Sequence, residues 1–168
     1  LKDAPANGGT LLFTPSSMLS IYPFTYPTLP YKLDDVAPVS VACFFSHALA
    51  VGPAVPAGVK NIKDFLAWAK ANPDKANYGS PAAGSMAHLI ASLLSKLTNS
   101  DLKHIPYQGS APGIQDLLDG KISAISCPDC DLFPYTKTNK LRMLAISGKT
   151  RSPFAPDVPT YREQGYPL

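Results

Sequence analysis

Charge is scarce in this chain. Asp, Glu, Lys and Arg make up 16% of its 168 residues, against about a quarter in an ordinary soluble domain. Glu163 is the single glutamate, which removes the glutamate pairs on which much acid–base hydrolysis relies. The fifteen Lys and Arg are scattered, give a net charge of only +3, and form no run interleaved with aromatics, so nucleic acid is not an expected partner. No apolar stretch approaches the roughly 18 residues of a membrane span. Three cysteines, Cys43, Cys127 and Cys130, are too few for a disulfide scaffold and leave at least one unpaired.

Recognition signatures are missing as well. Gly8-Gly9 and Gly79…Gly84 lack the spacing of a Walker loop or dinucleotide fingerprint. Ser85 and His88 stand close together, but no G-x-S-x-G elbow surrounds the serine, and a three-residue helical spacing does not aim the imidazole at the hydroxyl. Cys43, His47, His88 and His104 show no paired metal-ligand spacing, so neither metal nor cofactor is called for. Cys127-Pro128-Asp129-Cys130 is a C-x-x-C, yet it falls three quarters of the way along the chain. A thioredoxin-like site belongs near the first βα unit, so a local disulfide or two quiet thiols is the plainer reading.

What is present is alternation of short apolar runs and amphipathic segments. Gly9–Phe13 reads as a buried strand ending in a polar turn, Thr14-Pro15-Ser16-Ser17, and 21–30 as an irregular connector packed by Tyr and Pro. Most of Val36–Val51 reads as strand. Asn61 caps a helix on which Ile62, Phe65, Leu66 and Ala69 share a face, with Pro73 as its stop. Strand-like runs at 76–79, 103–107, 121–126 and 141–146 then alternate with helices over 85–97, 111–119 and 132–138, and Met86, Leu89, Ile90, Leu93, Leu94 and Leu97 form one apolar stripe on the first of these. This pattern predicts an α/β fold with a mostly parallel sheet flanked by helices. Ligands of such sheets sit beyond the strands' carboxyl ends, where the turns at 79–85, 108–111 and 127–131 converge.

The first of those turns, Asn77 to His88, runs from a strand through Gly, Ser and Ala into a helix. Small residues admit a close backbone approach, and a helix start offers free N–H groups and a positive dipole end, so the unit suits a carboxylate or phosphate. His88 either points into the cleft or holds a neighbouring backbone group. Tyr107-Gln108-Gly109-Ser110 supplies a phenol, an amide and a helix cap beside it.

The ordered set Thr10-Leu11-Leu12, Leu29-Pro30-Tyr31, Ala37-Pro38-Val39-Ser40, Ala69-Lys70-Ala71-Asn72-Pro73, Asn77-Tyr78-Gly79-Ser80, His88-Leu89, Ile105 to Pro112, Lys140-Leu141-Arg142, Arg151-Ser152-Pro153 and Asp157-Val158-Pro159-Thr160 resembles the Bug/TctC extracytoplasmic solute receptors. The resemblance covers essentially the whole chain. It implies a type II periplasmic-binding-protein fold, a periplasmic location, a small organic carboxylate or acidic amino acid held between two hinged domains, and a membrane permease of a tripartite transporter as partner. It also implies an internal fragment without the family's opening strand, glycine-rich loop and C-terminal helices. Residues 1–47 would be part of a first domain, 48–145 the second domain, and 146–168 a return segment. Carried over by motif, Ser16 and Ser17 would contact ligand from the first domain, and Gly79, Ser80, Gly84, Ser85, His88, Tyr107 and Gly109 would line the second-domain wall. Cys127 joins them where the chain departs from the family, since relatives carry an acidic or amide residue and a small turn at 127–131. A ligand-sensing domain of a transcription regulator shares the general fold and is the alternative reading, with a C-x-x-C oxidoreductase third.

Overall fold

A computed structural model describes residues 2–168. Two single-turn helices, α1 (Ser17–Ser20) and α2 (Tyr22–Thr25), precede strand β1 (His47–Val51). Then follow α3 (Ile62–Ala71), β2 (Asn77–Pro81), α4 (Met86–Leu97), β3 (Lys103–Tyr107), α5 (Ser110–Leu118), β4 (Ala124–Pro128), α6 (Phe133–Thr136) and β5 (Arg142–Ile146). The strands form one sheet in the order β3-β2-β4-β1-β5. Neighbouring β3, β2 and β4 run parallel, whereas β1 is antiparallel to both β4 and β5. The sheet is therefore mixed, with a single reversed strand inside it.

Helices cover both faces because strand residues alternate between them. On one face Tyr78, Ala124, Leu49 and Val51 pack with Ile62 and Phe65 of α3 and Ala91 and Leu94 of α4. On the other, Ile125, Cys127, Ala48 and Ala50 pack with Ile114 and Leu117 of α5 and with Leu132. The Asn61 cap forms as its sequence suggests, its side chain accepting the Asp64 N–H at 2.8 Å.

Three expectations need correction. Gly9–Phe13 is not a strand: Leu11 and Phe13 lie exposed. Nor is most of 36–51, where only His47–Val51 pairs and Val39, Val41 and Phe44 face solvent. An apolar run becomes a strand only where a neighbour accepts its backbone bonds, and among the described residues none pairs with these. On α4 the buried face is Ala87, Ala91 and Leu94, while Met86, Leu89, Leu93 and Leu97 point outward. The two alanines let the helix lie close to the sheet, near enough for the buried Ser126 hydroxyl to donate to the Ala87 carbonyl at 2.7 Å.

The stretch after β5 lies against this sheet. Ile146 bridges Thr160, Tyr161 sits in the core, and the Gln164 side chain accepts from Ile62 N–H at 2.9 Å and donates to the Leu144 carbonyl at 2.8 Å.

Candidate functional site

The parallel strands β2, β3 and β4 end at the same edge as β5, and the reversed β1 begins there. His47 is opposite Pro128, the Asp129 N–H donates to the Ser46 carbonyl at 2.9 Å, and the Ser147 N–H donates to His47 at 2.7 Å. The Ala82 N–H donates to the Tyr107 carbonyl at 2.9 Å, tying the turn after β2 to the turn after β3. The expected convergence of loops is thus present.

The turn from Pro81 to Ser85 takes its shape from two left-handed residues, Ala82 at φ 59° and Gly84 at φ 74°. Ser85 then caps α4: its hydroxyl donates to the Pro81 carbonyl at 2.7 Å and accepts the His88 N–H at 3.4 Å. His88 returns the bond, its Nδ1 accepting the Gly84 N–H at 3.0 Å. These bonds use the amides of Gly84 and His88 but leave those of Met86 and Ala87, which belong to a first turn with no intrahelical acceptor. Gly109, at φ 105° with open space where a Cβ would stand, caps α5. Two helix starts, from opposite faces of the sheet, therefore reach the same edge, and both favour an anion; on α4 the N–H at an exposed residue is that of Met86, since Ala87 is buried.

The sequence-derived residues divide into those at this edge and those behind it. Gly84, Ser85, His88 and Gly109 are at the edge. Gly79 and Ser80 are buried. Gly79 makes room for a side chain rather than for a ligand, since a Cβ there would stand 2.8 Å from the Tyr107 ring. The Ser80 hydroxyl, 0% exposed, is 2.8 Å from Nε2 of His104. The Tyr107 carbonyl holds the turn, but its hydroxyl turns away and donates to Asp116 at 3.0 Å. Burial, followed by the bond to the Asp116 carboxylate, pushes its pKa up to about 12.

Cys127 does not reach the edge. Its side chain is 0% exposed, packed among Ile125, Leu132 and Ile146, because alternation along β4 turns it toward α5. Burial pushes its pKa up, and that of the exposed Cys130 is raised too, chiefly by desolvation. Both thiols are free, and a raised pKa is the opposite of what a redox thiolate needs.

Ser16 caps α1 through its backbone only and is exposed. From the N-terminal segment the cradle is touched by Thr25, whose Oγ1 lies 3.0 Å from where a Gly84 Cβ would stand, and Tyr26, whose hydroxyl donates to the Ala83 carbonyl at 2.5 Å. The aromatic connector at 21–30 carried that signal.

Sequence reading also missed His104. Its ring stacks on that of His88 with centroids 4.0 Å apart, beside a cavity of about 540 Å³ that also touches Tyr78, Ser92 and Asp101. Burial, and secondarily the neighbouring His88, lowers the His104 pKa to about 4, and burial lowers that of His88. Both rings are neutral at pH 7, which lets Nδ1 of His88 act as an acceptor. Among the described residues, no three His, Cys, Asp or Glu side chains are grouped to hold a metal ion, and no helix is long and apolar enough to cross a membrane.

Comparison with known proteins fits this architecture. Residues 1–167 match the family model described as Tripartite tricarboxylate transporter family receptor, TctC. The chain is 35% identical over 168 residues to Protein BugT of Bordetella pertussis, covering 96% of the chain and 50% of BugT. A UPF0065 protein encoded in the tcbD-tcbE intergenic region of a Pseudomonas strain is 33% identical over 161 residues, covering 95% of the chain and 47% of that protein. Among solved structures, R. palustris Rpa4515 with adipate aligns at TM-score 0.78 and 30% identity, over 84% of this chain and 47% of that one. MatC from Rhodopseudomonas palustris with bound malate aligns at TM-score 0.74 and 26% identity, over 84% and 48%. The chain spans about half the length of the curated relatives it matches. It belongs to the TctC family of solute-binding receptors, the Bug proteins among them, and has the α/β fold of their periplasmic binding proteins.

Proposed function

We propose that this chain forms one wall of a cleft that holds a small organic carboxylate, for delivery to the membrane permease of a tripartite transporter. The observation that carries the reading is the arrival of two helix starts, at Ser85–Met86 and Gly109–Ala111, at one sheet edge, their turns joined by the Ala82–Tyr107 bond. Neutral donors fixed by the backbone suit reversible capture of an anion: they bind charge without the desolvation cost of burying a counter-ion. Similar structures with bound malate and with adipate support the carboxylate class. The opposite wall would come from the remainder of the receptor, with residues 1–47 as part of the first domain, 48–145 as the second and 146–168 as the segment between them. The exposed Leu11, Phe13, Val39 and Val41 would be covered there. The protein would work in the periplasm as a binding protein and perform no chemistry on its ligand.

Calorimetric titration of the full-length protein with malate, adipate and glutamate tests this, alone and with Met86→Pro. Proline is well tolerated at the first helical position, Ser85 already has the extended backbone that a residue before proline prefers (φ −73°, ψ 165°), and the Met86 side chain is exposed. The substitution therefore removes one cradle N–H and little else. A hydrogen bond to a charged group is worth about 1.5–3 kcal/mol, so affinity should fall roughly 10- to 100-fold. No heat from any carboxylate contradicts the function, and an unchanged affinity in Met86→Pro dismisses the cradle.

A further inference from the structure

The edge that carries the cradle has a second concavity, over β4 and β1 rather than β2 and β3. It encloses about 380 Å³ and is lined by Phe44, Phe45, Phe133, Phe154, Asp129 and Arg151, among others. The aromatic rings are real walls: Phe133 and Phe154 sit 5.9 Å apart at a 48° tilt. Asp129 is the unusual member. It is only 5% exposed, held down by its own N–H donating to Ser46, and Oδ1 accepts the Cys130 N–H at 2.9 Å. Backbone N–H groups, those of Cys130 and Ser46 among them, stabilise the carboxylate, but no Lys, Arg or His among the described residues pairs with it.

Arg151 looks at first like the natural counter-charge. It is committed elsewhere: Nε lies 3.0 Å from both carboxylate oxygens of Glu163, and Nη1 donates to the Pro156 carbonyl at 3.0 Å. Asp131, next but one to Asp129, adds a further negative charge. The Cys130 thiol has a raised pKa and is neutral at pH 7. What remains is an almost buried carboxylate without a counter-ion among the described residues, lining the same pocket as Phe45, Phe133 and Phe154; phenyl rings attract cations to their faces. Burial raises the pKa of Asp129; a bound cation would offset that cost, as a charge-assisted hydrogen bond does.

We propose that this pocket is a distal subsite for a protonated amine, so that the preferred ligand is an ω-amino carboxylate with its carboxylate on the cradle and its ammonium at Asp129. The inference rests on the cradle reading above. Strands β2 and β4 are direct neighbours, so their ends stand about 5 Å apart, and turns built on those ends suit a ligand spanning one to two strand spacings, roughly 5–10 Å. A short aliphatic amino acid fits that span.

The test compares 6-aminohexanoate with adipate, its near-isostere in which the second carboxylate replaces the ammonium, by calorimetry on the full-length protein at pH 7. The amino acid should bind at least tenfold more tightly. Asp129→Asn should cost 6-aminohexanoate tenfold or more while leaving adipate unchanged or improved, because the repulsion is gone. Phe154→Leu, at an exposed ring, should weaken the amino acid several-fold and adipate little, and it carries the test should Asp129→Asn fail to fold. Tighter binding of adipate, an equal loss of both ligands in Asp129→Asn, or an unchanged preference in Phe154→Leu overturns the amine subsite while the cradle stands. Binding of neither ligand overturns both.

Discussion

Replacing Gly79 by alanine probes how the cradle is built. Gly79 is a central-strand residue whose backbone alanine can adopt, so the substitution gains about 0.4–1 kcal/mol from a less free unfolded chain. Against this, the new methyl would stand 2.8 Å from one Tyr107 ring carbon, 3.2 Å from a second and 2.9 Å from the Ile122 terminal methyl. Ile122 can move the end of its side chain. The Tyr107 ring cannot retreat, because its other contact is Gly113, where a Cβ would itself meet the ring at 3.1 Å, and its hydroxyl is anchored on Asp116. Overpacking of this kind costs about 1–3 kcal/mol, so the clash outweighs the entropy gain. We expect a net loss of about 1–2 kcal/mol, which for a chain of this size lowers Tm by roughly 2–8 °C. Urea unfolding of wild type, Gly79→Ala, Tyr107→Val and the double variant supplies the assay. Removing the ring should relieve the clash, giving a coupling of at least about 0.5 kcal/mol. If Gly79→Ala is as stable as wild type, or loses as much with valine at 107 as with tyrosine, the account of Gly79 as a seat for Tyr107 is refuted.

Other expectations follow from single groups. The Tyr161 hydroxyl is buried without a hydrogen-bond partner among the described residues, so Tyr161→Phe should be neutral or stabilising by about 1 kcal/mol, read as a shift in the urea midpoint; a loss of that size would mean the hydroxyl has a partner. A thiol reagent should label Cys43 and Cys130 promptly and Cys127 only on unfolding, given their exposure, and three fast-reacting thiols would contradict the burial of β4. The folded-state pKa of His104, about 4, lies below the unfolded value near 6.5, so the unfolded chain binds the extra proton between these limits. Stability should therefore be full above about pH 6.5 and fall as pH drops toward about 4. His104→Gln should flatten that slope in urea midpoints taken at pH 7 and 4.5, and an unchanged slope would remove the imidazole from the account.

The βα alternation was legible because each run has its own period and punctuation: Asn61 capping α3 and Pro73 ending it. Convergence of the loops followed from topology alone. What sequence could not supply was orientation. The leucines of α4 repeat as well as its alanines do, and only the close approach of helix to sheet decides that Ala87 and Ala91 face inward. Gly79 read as space for a ligand and proved to be space for Tyr107, a residue 28 positions away whose pairing depends on parallel register. The pairing of His104 with His88 was hidden for the same reason, since its neighbours Tyr78 and His88 come from β2 and α4. Apolar runs at 9–13 and 36–45 looked like strands because composition records what can pair, not whether a partner is there.

Amide chemical shifts of the isotope-labelled full-length protein during titration with adipate test the central claim most directly. The account predicts that the N–H signals of Met86, Ser110 and Ala111 move together, with a common affinity, while those of the buried β2–β4 interior stay in place. Saturable shifts confined to other parts of the chain, or none at all, would contradict it.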